Sequence, residues 1–136
     1  MAYLCIIASV PRDKAGQILL PADVPRLASK IVIASHYMVP AIPDLRDAVD
    51  GGTPLETNTF HPLRGFRLQE PAAVGSHAAR LAVQAKQMIT PDHPLYGDAW
   101  TQAEVMKIID LFHHASAAGE AVVTHLDLSR TGKQKS

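Results

Sequence analysis

His125 and Asp127 stand two positions apart near the end of the sequence and could do acid-base chemistry together. They alternate with Val122, Leu126 and Leu128 in a pattern that predicts a strand, which puts both polar side chains on one face. A carboxylate beside an imidazole can fix the tautomer of the imidazole and support general-base catalysis. The pair therefore indicates one hypothesis, a small enzyme or ligand-binding protein that acts on an acidic metabolite.

Two proline-stiffened segments offer a different chemistry, because each contains His-Pro-Leu, at residues 61–63 and 93–95. Arg64 and Arg67 follow the first segment and could bind a carboxylate or phosphate through paired hydrogen bonds, as the enzyme hypothesis requires. Stiff loops also lose little entropy when they dock on a protein, and aromatic and arginine side chains suit interfaces. We favour docking. The predicted interface residues of the two segments are His61, Pro62, Leu63, Phe66, His93, Pro94, Leu95 and Tyr96.

Seven histidines raise the question of a metal site. His113 and His114 are adjacent on a predicted helix, so their side chains diverge by about 100°, which is a poor geometry for one metal ion. His114 also follows Asp110 by four residues, the spacing of a solvated surface pair. The sequence contains no Gly-x-Ser-x-Gly, His-Glu-x-x-His or phosphate-binding glycine loop, which argues against an enzyme. We therefore expect no metal and no cofactor.

The composition is that of an ordinary globular protein, with 136 residues, 47% hydrophobic and 19% charged. Thirteen basic side chains balance thirteen acidic ones, and aromatic residues are only 5% of the chain. A balanced charge and few stacking residues make nucleic-acid binding a poor prediction. A single cysteine, Cys5, excludes a disulfide within the chain, and its position in an apolar run predicts an inert core thiol.

Hydrophobic periodicity predicts the elements that position these residues. Strands are expected at residues 4–10, 17–20, 66–69 and 122–128. Helices are expected at about 23–36, 43–50 and 75–90, and from a Thr101–Glu104 capping box to Gly119. The first helix is ambiguous, since residues 22–39 are also rich in strand-forming types. In the helix over 75–90, His77 is expected on the polar face. These elements predict an α+β fold, a small, mostly antiparallel sheet packed on one side by two amphipathic helices.

One domain is predicted over residues 1–129, followed by a polar tail over residues 130–136. The tail carries three positive charges, among them Lys133 and Lys135, which we add to the predicted interface. The apolar run over residues 2–10 has its charges on the wrong side for a signal peptide. It is also shorter than the roughly 20 residues of a membrane span. These features predict a protein of the cytoplasm or of a particle assembled inside the cell, with no membrane partner.

The function favoured by these observations is a non-enzymatic structural or interaction subunit of a larger assembly, such as a homo-oligomer, a virion component or an accessory subunit. The proline-rich stretch over residues 40–71 has little regular pattern, and loops of that length are often functional or bound to a partner. The expected partners are further copies of the chain or other protein subunits, held by this middle segment and the tail. The enzyme that uses His125 and Asp127 with Arg64 or Arg67 is the alternative.

Overall fold

The structure, a computed structural model, describes residues 4–19, 22–35, 42–54 and 66–127. Within them are five strands and five helices, each named here in chain order. The strands are β1 (Leu4–Val10), β2 (Lys30–Ser35), β3 (Thr53–Pro54), β4 (Phe66–Gln69) and β5 (Ala121–Asp127). The helices are α1 (Arg12–Ala15), α2 (Asp23–Leu27), α3 (Pro43–Asp50), α4 (Pro71–Gln87) and α5 (Ala99–Ala118).

The five strands form one antiparallel sheet in the order β2-β1-β5-β4-β3. Strand β1, which lies between β2 and β5, is apolar at every position except Ser9, as expected of a strand that is covered on both faces. The register of β1 and β5 pairs Leu4 with Asp127 and Val10 with Ala121. This arrangement confirms the predicted α+β fold and its antiparallel sheet.

The main core lies between one face of the sheet and helices α3, α4 and α5. Cys5 and Ile7 of β1 reach it from the sheet, and the apolar stripe of α5 meets them. That stripe, Val105, Ile108, Ile109, Phe112 and Ala115, is fully buried. The two long amphipathic helices therefore cover one side of the sheet, as predicted.

A smaller core occupies the other face of the sheet. There α1 and α2 cover Ala8 and Val10 of β1 and Val123 of β5, and Ile18 and Phe66 complete the cluster. The physical reason is alternation. Every second residue of β1 points away from α5, and because Ala8, Val10 and the neighbouring Val123 of β5 are apolar, they need a cover of their own.

Two of the predicted elements in the first half of the chain are wrong. Residues 17–19 form no strand; the chain turns there after α1. The predicted helix from residue 23 ends at Leu27, and Lys30–Ser35 is an edge strand beside β1. The run Ile31-Val32-Ile33 prefers extended backbone, because β-branched side chains crowd a helix and pack well on a sheet.

The start of α5 also differs from the prediction. The helix begins at Ala99, and Asp98 is its N-cap, with its side chain accepting a hydrogen bond from the Thr101 backbone N–H. Thr101 is thus the residue that donates a hydrogen bond to the N-cap, and it is not the N-cap itself. At the other end Gly119 has φ +68°, the left-handed conformation that glycine adopts without steric cost.

Cys5 lies in the main core and is almost inaccessible to solvent. Burial, with a smaller contribution from the negative charge of Asp50, raises the pKa of its thiol to about 12. The prediction that Cys5 lies in the core is confirmed. A thiol with so high a pKa carries almost no thiolate at neutral pH.

No helix in the described ranges is both long and apolar enough to cross a bilayer.

Candidate functional site

His125 lies on the face of the sheet that α1 and α2 partly cover. Its imidazole stacks on the ring of Phe66 from β4, with ring centroids 4.0 Å apart and planes 13° from parallel. Phe66 is only 3% exposed and belongs to the smaller core. This corrects its prediction as an interface residue, because its ring is already buried within the chain.

Arg67 does not join His125. In the antiparallel register Phe66 faces His125 and Arg67 faces Thr124, so the side chains of Arg67 and His125 point to opposite faces of the sheet. The Arg67 guanidinium instead donates hydrogen bonds to the carbonyl oxygens of Gly51 (3.1 Å) and Gly52 (3.2 Å). The predicted grouping of His125 with Arg67 is therefore wrong. Predicted site residues Arg64, His61, Pro62, Leu63, Lys133 and Lys135, and the side chain of Asp127, lie outside the described part of the structure.

A polar cluster at the last turn of α5 brings together side chains that the sequence keeps far apart. Glu120 accepts hydrogen bonds at Oε1 from the hydroxyls of Ser9 and Ser29, both at 2.5 Å. His114 Nε2 lies 3.0 Å from the same Ser29 oxygen and 3.7 Å from Glu120 Oε1. His114 thus pairs with Ser29 and Glu120, and not with Asp110 as the helical spacing had suggested.

Hydrogen counting decides what this cluster can do. A serine hydroxyl has one hydrogen, and the nearest acceptor of the Ser29 hydroxyl is Glu120 Oε1 at 2.5 Å, ahead of the Ser9 carbonyl oxygen at 3.3 Å. With the hydrogen on that shortest contact, the His114 tautomer that fits carries its proton on Nε2 and donates it to the Ser29 oxygen. A base in a serine enzyme needs the reverse, an unprotonated nitrogen that accepts the hydroxyl proton, with the acid on its other nitrogen. The arrangement is a structural one: its hydrogen bonds link α5, β1 and the turn before β2.

A second polar group joins α3 to α4. His77 is buried, contrary to its predicted place on the polar face, and its ring packs edge-on against Phe112. Desolvation and the neighbouring Arg80 cation lower the pKa of the imidazole against the opposing effect of Asp47 and Asp44. Its Nδ1 lies 2.9 Å from the Arg80 guanidinium, and that contact makes Nδ1 the acceptor. The ring is therefore held neutral and is part of the packing.

Residues 88–98, which connect α4 to α5, form a surface of a different kind. Short turns run through this connector: Thr90 N–H donates to the Gln87 carbonyl, His93 N–H to that of Thr90, and Tyr96 N–H to that of His93. The amide of Gln102 ties it to α5 by donating to the carbonyl oxygens of Met88 (2.9 Å) and Leu95 (2.8 Å). The connector is thus held by its own backbone and by one side chain.

Large apolar side chains project from this ordered backbone into solvent. Ile89 is 70% exposed, Tyr96 55% and Trp100 62%. Each belongs to a residue within two positions of a group that the Gln102 amide joins, namely Met88, Leu95 or Gln102 itself. We call Ile89, Asp92, Tyr96, Asp98 and Trp100 the connector surface.

The charge of the connector surface is acidic. Between Gln87 and Ala103 the only charged side chains are those of Asp92 and Asp98, leaving histidine aside. Hydrogen bonds from the Thr101 hydroxyl and backbone N–H lower the pKa of Asp98, so it stays ionised. Asp92 lies on the wall of an open groove of about 320 Å³, with Gln87, Thr90, His93 and Pro94 as the other lining residues.

Of the predicted interface residues in the second His-Pro-Leu segment, Pro94 and Tyr96 are exposed and His93 and Leu95 half-buried. Sequence reasoning missed Ile89 and Trp100, although each stands at the end of an amphipathic helix, where an apolar residue has no core to enter. It also missed Ser9, Ser29 and Glu120, for which no local spacing gives a signal.

Among the described residues, no three His, Cys, Asp or Glu side chains lie together as a metal ion would require. No protein-family model and no curated protein matches the chain. Among solved structures it is similar to YfbM from Escherichia coli, a protein of unknown function, with a TM-score of 0.54 and 15% sequence identity. The similarity spans 90% of this chain and 99% of YfbM. What the chain shares with YfbM is therefore a fold.

Proposed function

We propose that this protein is a non-enzymatic interaction subunit that binds a basic, partly apolar segment of a protein partner through the connector surface. The observation that carries the proposal is the exposure of Ile89, Tyr96 and Trp100 on a backbone that is already ordered. Aromatic side chains on a preorganised loop can give up water on binding without a large loss of conformational entropy.

The chemistry of the partner follows from the charges of the surface. Cations are attracted to the faces of tryptophan and tyrosine rings, and Trp100 and Tyr96 have Asp98 and Asp92 close by in the chain. A lysine or arginine side chain in the open groove would meet the Asp92 carboxylate on its wall. Potentials of opposite sign steer association and select the partner, so the segment should be basic.

The proposal is tested with two synthetic peptides of equal length, one alternating Lys with Leu and the other alternating Glu with Leu. Trp100 is the only tryptophan of the chain, so its fluorescence reports on this surface directly, and calorimetry gives the affinity. We expect the lysine peptide to bind and to shift the emission of Trp100, and the glutamate peptide to do neither.

Matched variants locate the binding. Trp100→Ser should weaken binding of the lysine peptide by about tenfold or more, as expected of a central aromatic contact. Val83→Ser is the control, because Val83 is 53% exposed on α4 and is not part of the connector surface. Circular dichroism verifies that both variants fold. Equal affinity for the Trp100 and Val83 variants, or no preference between the peptides, would overturn the proposal.

A further inference from the structure

We propose that the chain forms a symmetric dimer in which the β2 strands of two copies pair antiparallel and join the two sheets into one. This inference goes beyond the proposed function, because it uses no residue of the connector surface. The two edges of the sheet are unequal. The edge at β3 is two residues long and ends in Pro54, which has no N–H to donate, whereas the edge at β2 runs over the six residues Lys30–Ser35.

Strand β2 has few of the features that keep an edge strand from pairing. Its neighbour among the described strands is β1 alone, so alternate backbone N–H and C=O groups of β2 point away from the sheet. It contains no proline, and its one charged residue, Lys30, stands at its first position. Proteins commonly protect an edge with proline or with charges inside the strand. The edge at β2 is therefore suited to pair with a further strand.

The exposed side chains of β2 indicate the same contact. Ile31 and Ile33 lie on one face of the sheet and are 36% and 48% exposed. Ile33 is the end of a row of cross-strand neighbours that runs through Ile6, His125 and Phe66. Side chains directly opposite each other on neighbouring strands pack together. A strand added beside β2 would continue this row and cover both isoleucines.

A second copy of β2 supplies a strand that fits. With a two-fold axis at Val32, Ile31 of one copy lies opposite Ile33 of the other copy, and Lys30 lies opposite Ala34. Residues opposed in this register are an even number of positions apart, so the outward backbone groups of one copy meet those of the other. All four isoleucines gain an apolar neighbour, and no like charges face each other.

The length of the pairing sets the expected affinity. A contact made by one six-residue strand from each copy falls at the low end of specific interfaces, at or below about 1,200 Å² of total buried surface. Permanent dimers bury more than about 2,000 Å². We therefore expect a reversible dimer with a dissociation constant in the micromolar range.

Charge substitutions at the two isoleucines test both the edge and the register. Ile31→Lys/Ile33→Lys places like charges opposite each other across the two-fold axis, whereas Ile31→Lys/Ile33→Glu places opposite charges there. Sedimentation equilibrium from about 1 µM to about 500 µM brackets a micromolar dissociation constant. The average mass of the wild type should rise from that of one chain toward that of two. The dissociation constant of the two-lysine variant should exceed that of the lysine-glutamate variant by about tenfold.

The matched control adds two positive charges elsewhere, in Ala79→Lys/Val83→Lys, at exposed positions of α4. This control should associate like the wild type, and circular dichroism verifies that the variants fold. A second measurement needs no variant. Amide hydrogen exchange at residues 30–35 of the wild type should slow severalfold as the protein concentration rises, because pairing occupies the outward N–H groups.

Three results would each overturn the inference: a wild type that stays monomeric over the whole range, equal dissociation constants for the two-lysine and lysine-glutamate variants, or exchange at residues 30–35 that does not depend on protein concentration. A wild type that stays monomeric is also the result expected if the edge at β2 receives a strand from a different protein. Binding of the alternating Lys-Leu peptide in a Trp100-dependent way would leave the proposed function standing in each case.

Discussion

At its first turn α5 leaves Trp100 in solvent and uses Gln102 and Asp98 to hold the neighbouring backbone, whereas at its last turn it gathers His114, Glu120 and two serines into one bonded group. Both ends have their polar groups satisfied. The two ends differ in their apolar side chains. The polar cluster joins elements that pack against the core, whereas the connector surface leaves Ile89, Tyr96 and Trp100 exposed in the described part of the structure. Under the proposed function, one helix would divide stability and recognition between its two ends.

The largest effect expected of a polar substitution is at the polar cluster. Glu120→Ala removes the acceptor of two hydroxyls and leaves that of Ser9, which is fully buried, without its bond, so unfolding free energy should fall by about 2–3 kcal/mol. Urea denaturation measures this. Glu104→Ala is the control, because it breaks only the exposed pair with Lys107 and should cost about 0.5 kcal/mol. Equal losses in the two variants would mean that the cluster is an ordinary surface feature.

A smaller loss is expected at the connector end. Gln102→Ala deletes the bonds to the Met88 and Leu95 carbonyl oxygens and should lower the free energy of unfolding by about 1–2 kcal/mol. It should also speed amide hydrogen exchange at Tyr96 and Asp98. The substitution Gln87→Ala at an exposed position should change neither quantity. Unchanged exchange in the Gln102 variant would show that the turns alone order the connector.

Trp100→Ser should change the free energy of unfolding by less than about 0.5 kcal/mol, because its side chain has little contact to lose. Phe112→Ala, twelve residues along the same helix and fully buried, should cost about 3–5 kcal/mol. Thermal melts of the two variants compare them directly. A substantial loss in the Trp100 variant would assign the ring to the core and end the division between the two helix ends.

The smallest effect is a titration. Because hydrogen bonds from Thr101 lower the pKa of Asp98, the cap contributes fully to stability above the ordinary value of 3.8 and is lost only as the pH falls through the lower folded value. The amide proton shift of Thr101 should therefore titrate with a midpoint below 3.8. Thr101→Val removes the hydroxyl donor and should move that midpoint upward. A midpoint that does not respond would leave the backbone N–H as the sole cause.

The sequence pattern was enough to predict those elements in which the backbone preference of the residues and the spacing of the buried ones indicate the same secondary structure. The stripe of α5 and the glycine at its end follow from helical periodicity and backbone freedom. Residues 30–35 were mispredicted because a helical spacing of apolar residues coincided with β-branched types, and only the neighbouring β1 decides between them.

The polar cluster was beyond local prediction for a different reason. Ser9 and Glu120 are 111 positions apart, so their contact depends on the topology of the sheet and leaves no spacing to detect. Tyr96 was identified from the stiffness of its segment, but the exposure of Trp100 depends on which elements pass the first turn of α5. The separation of Arg67 from His125 follows from strand register, which a single predicted strand does not specify.

Because Cys5 is buried, the rate at which its thiol is modified measures how often the main core opens. With its thiol enclosed by the main core and its pKa near 12, an alkylating reagent in neutral solution finds almost nothing to attack while β1 stays in place. Modification then proceeds only during the brief intervals when the sheet and helices part, and its rate counts those intervals. The modification rate of this one thiol therefore reports the frequency with which β1 separates from the helices, and no label has to be added to the chain.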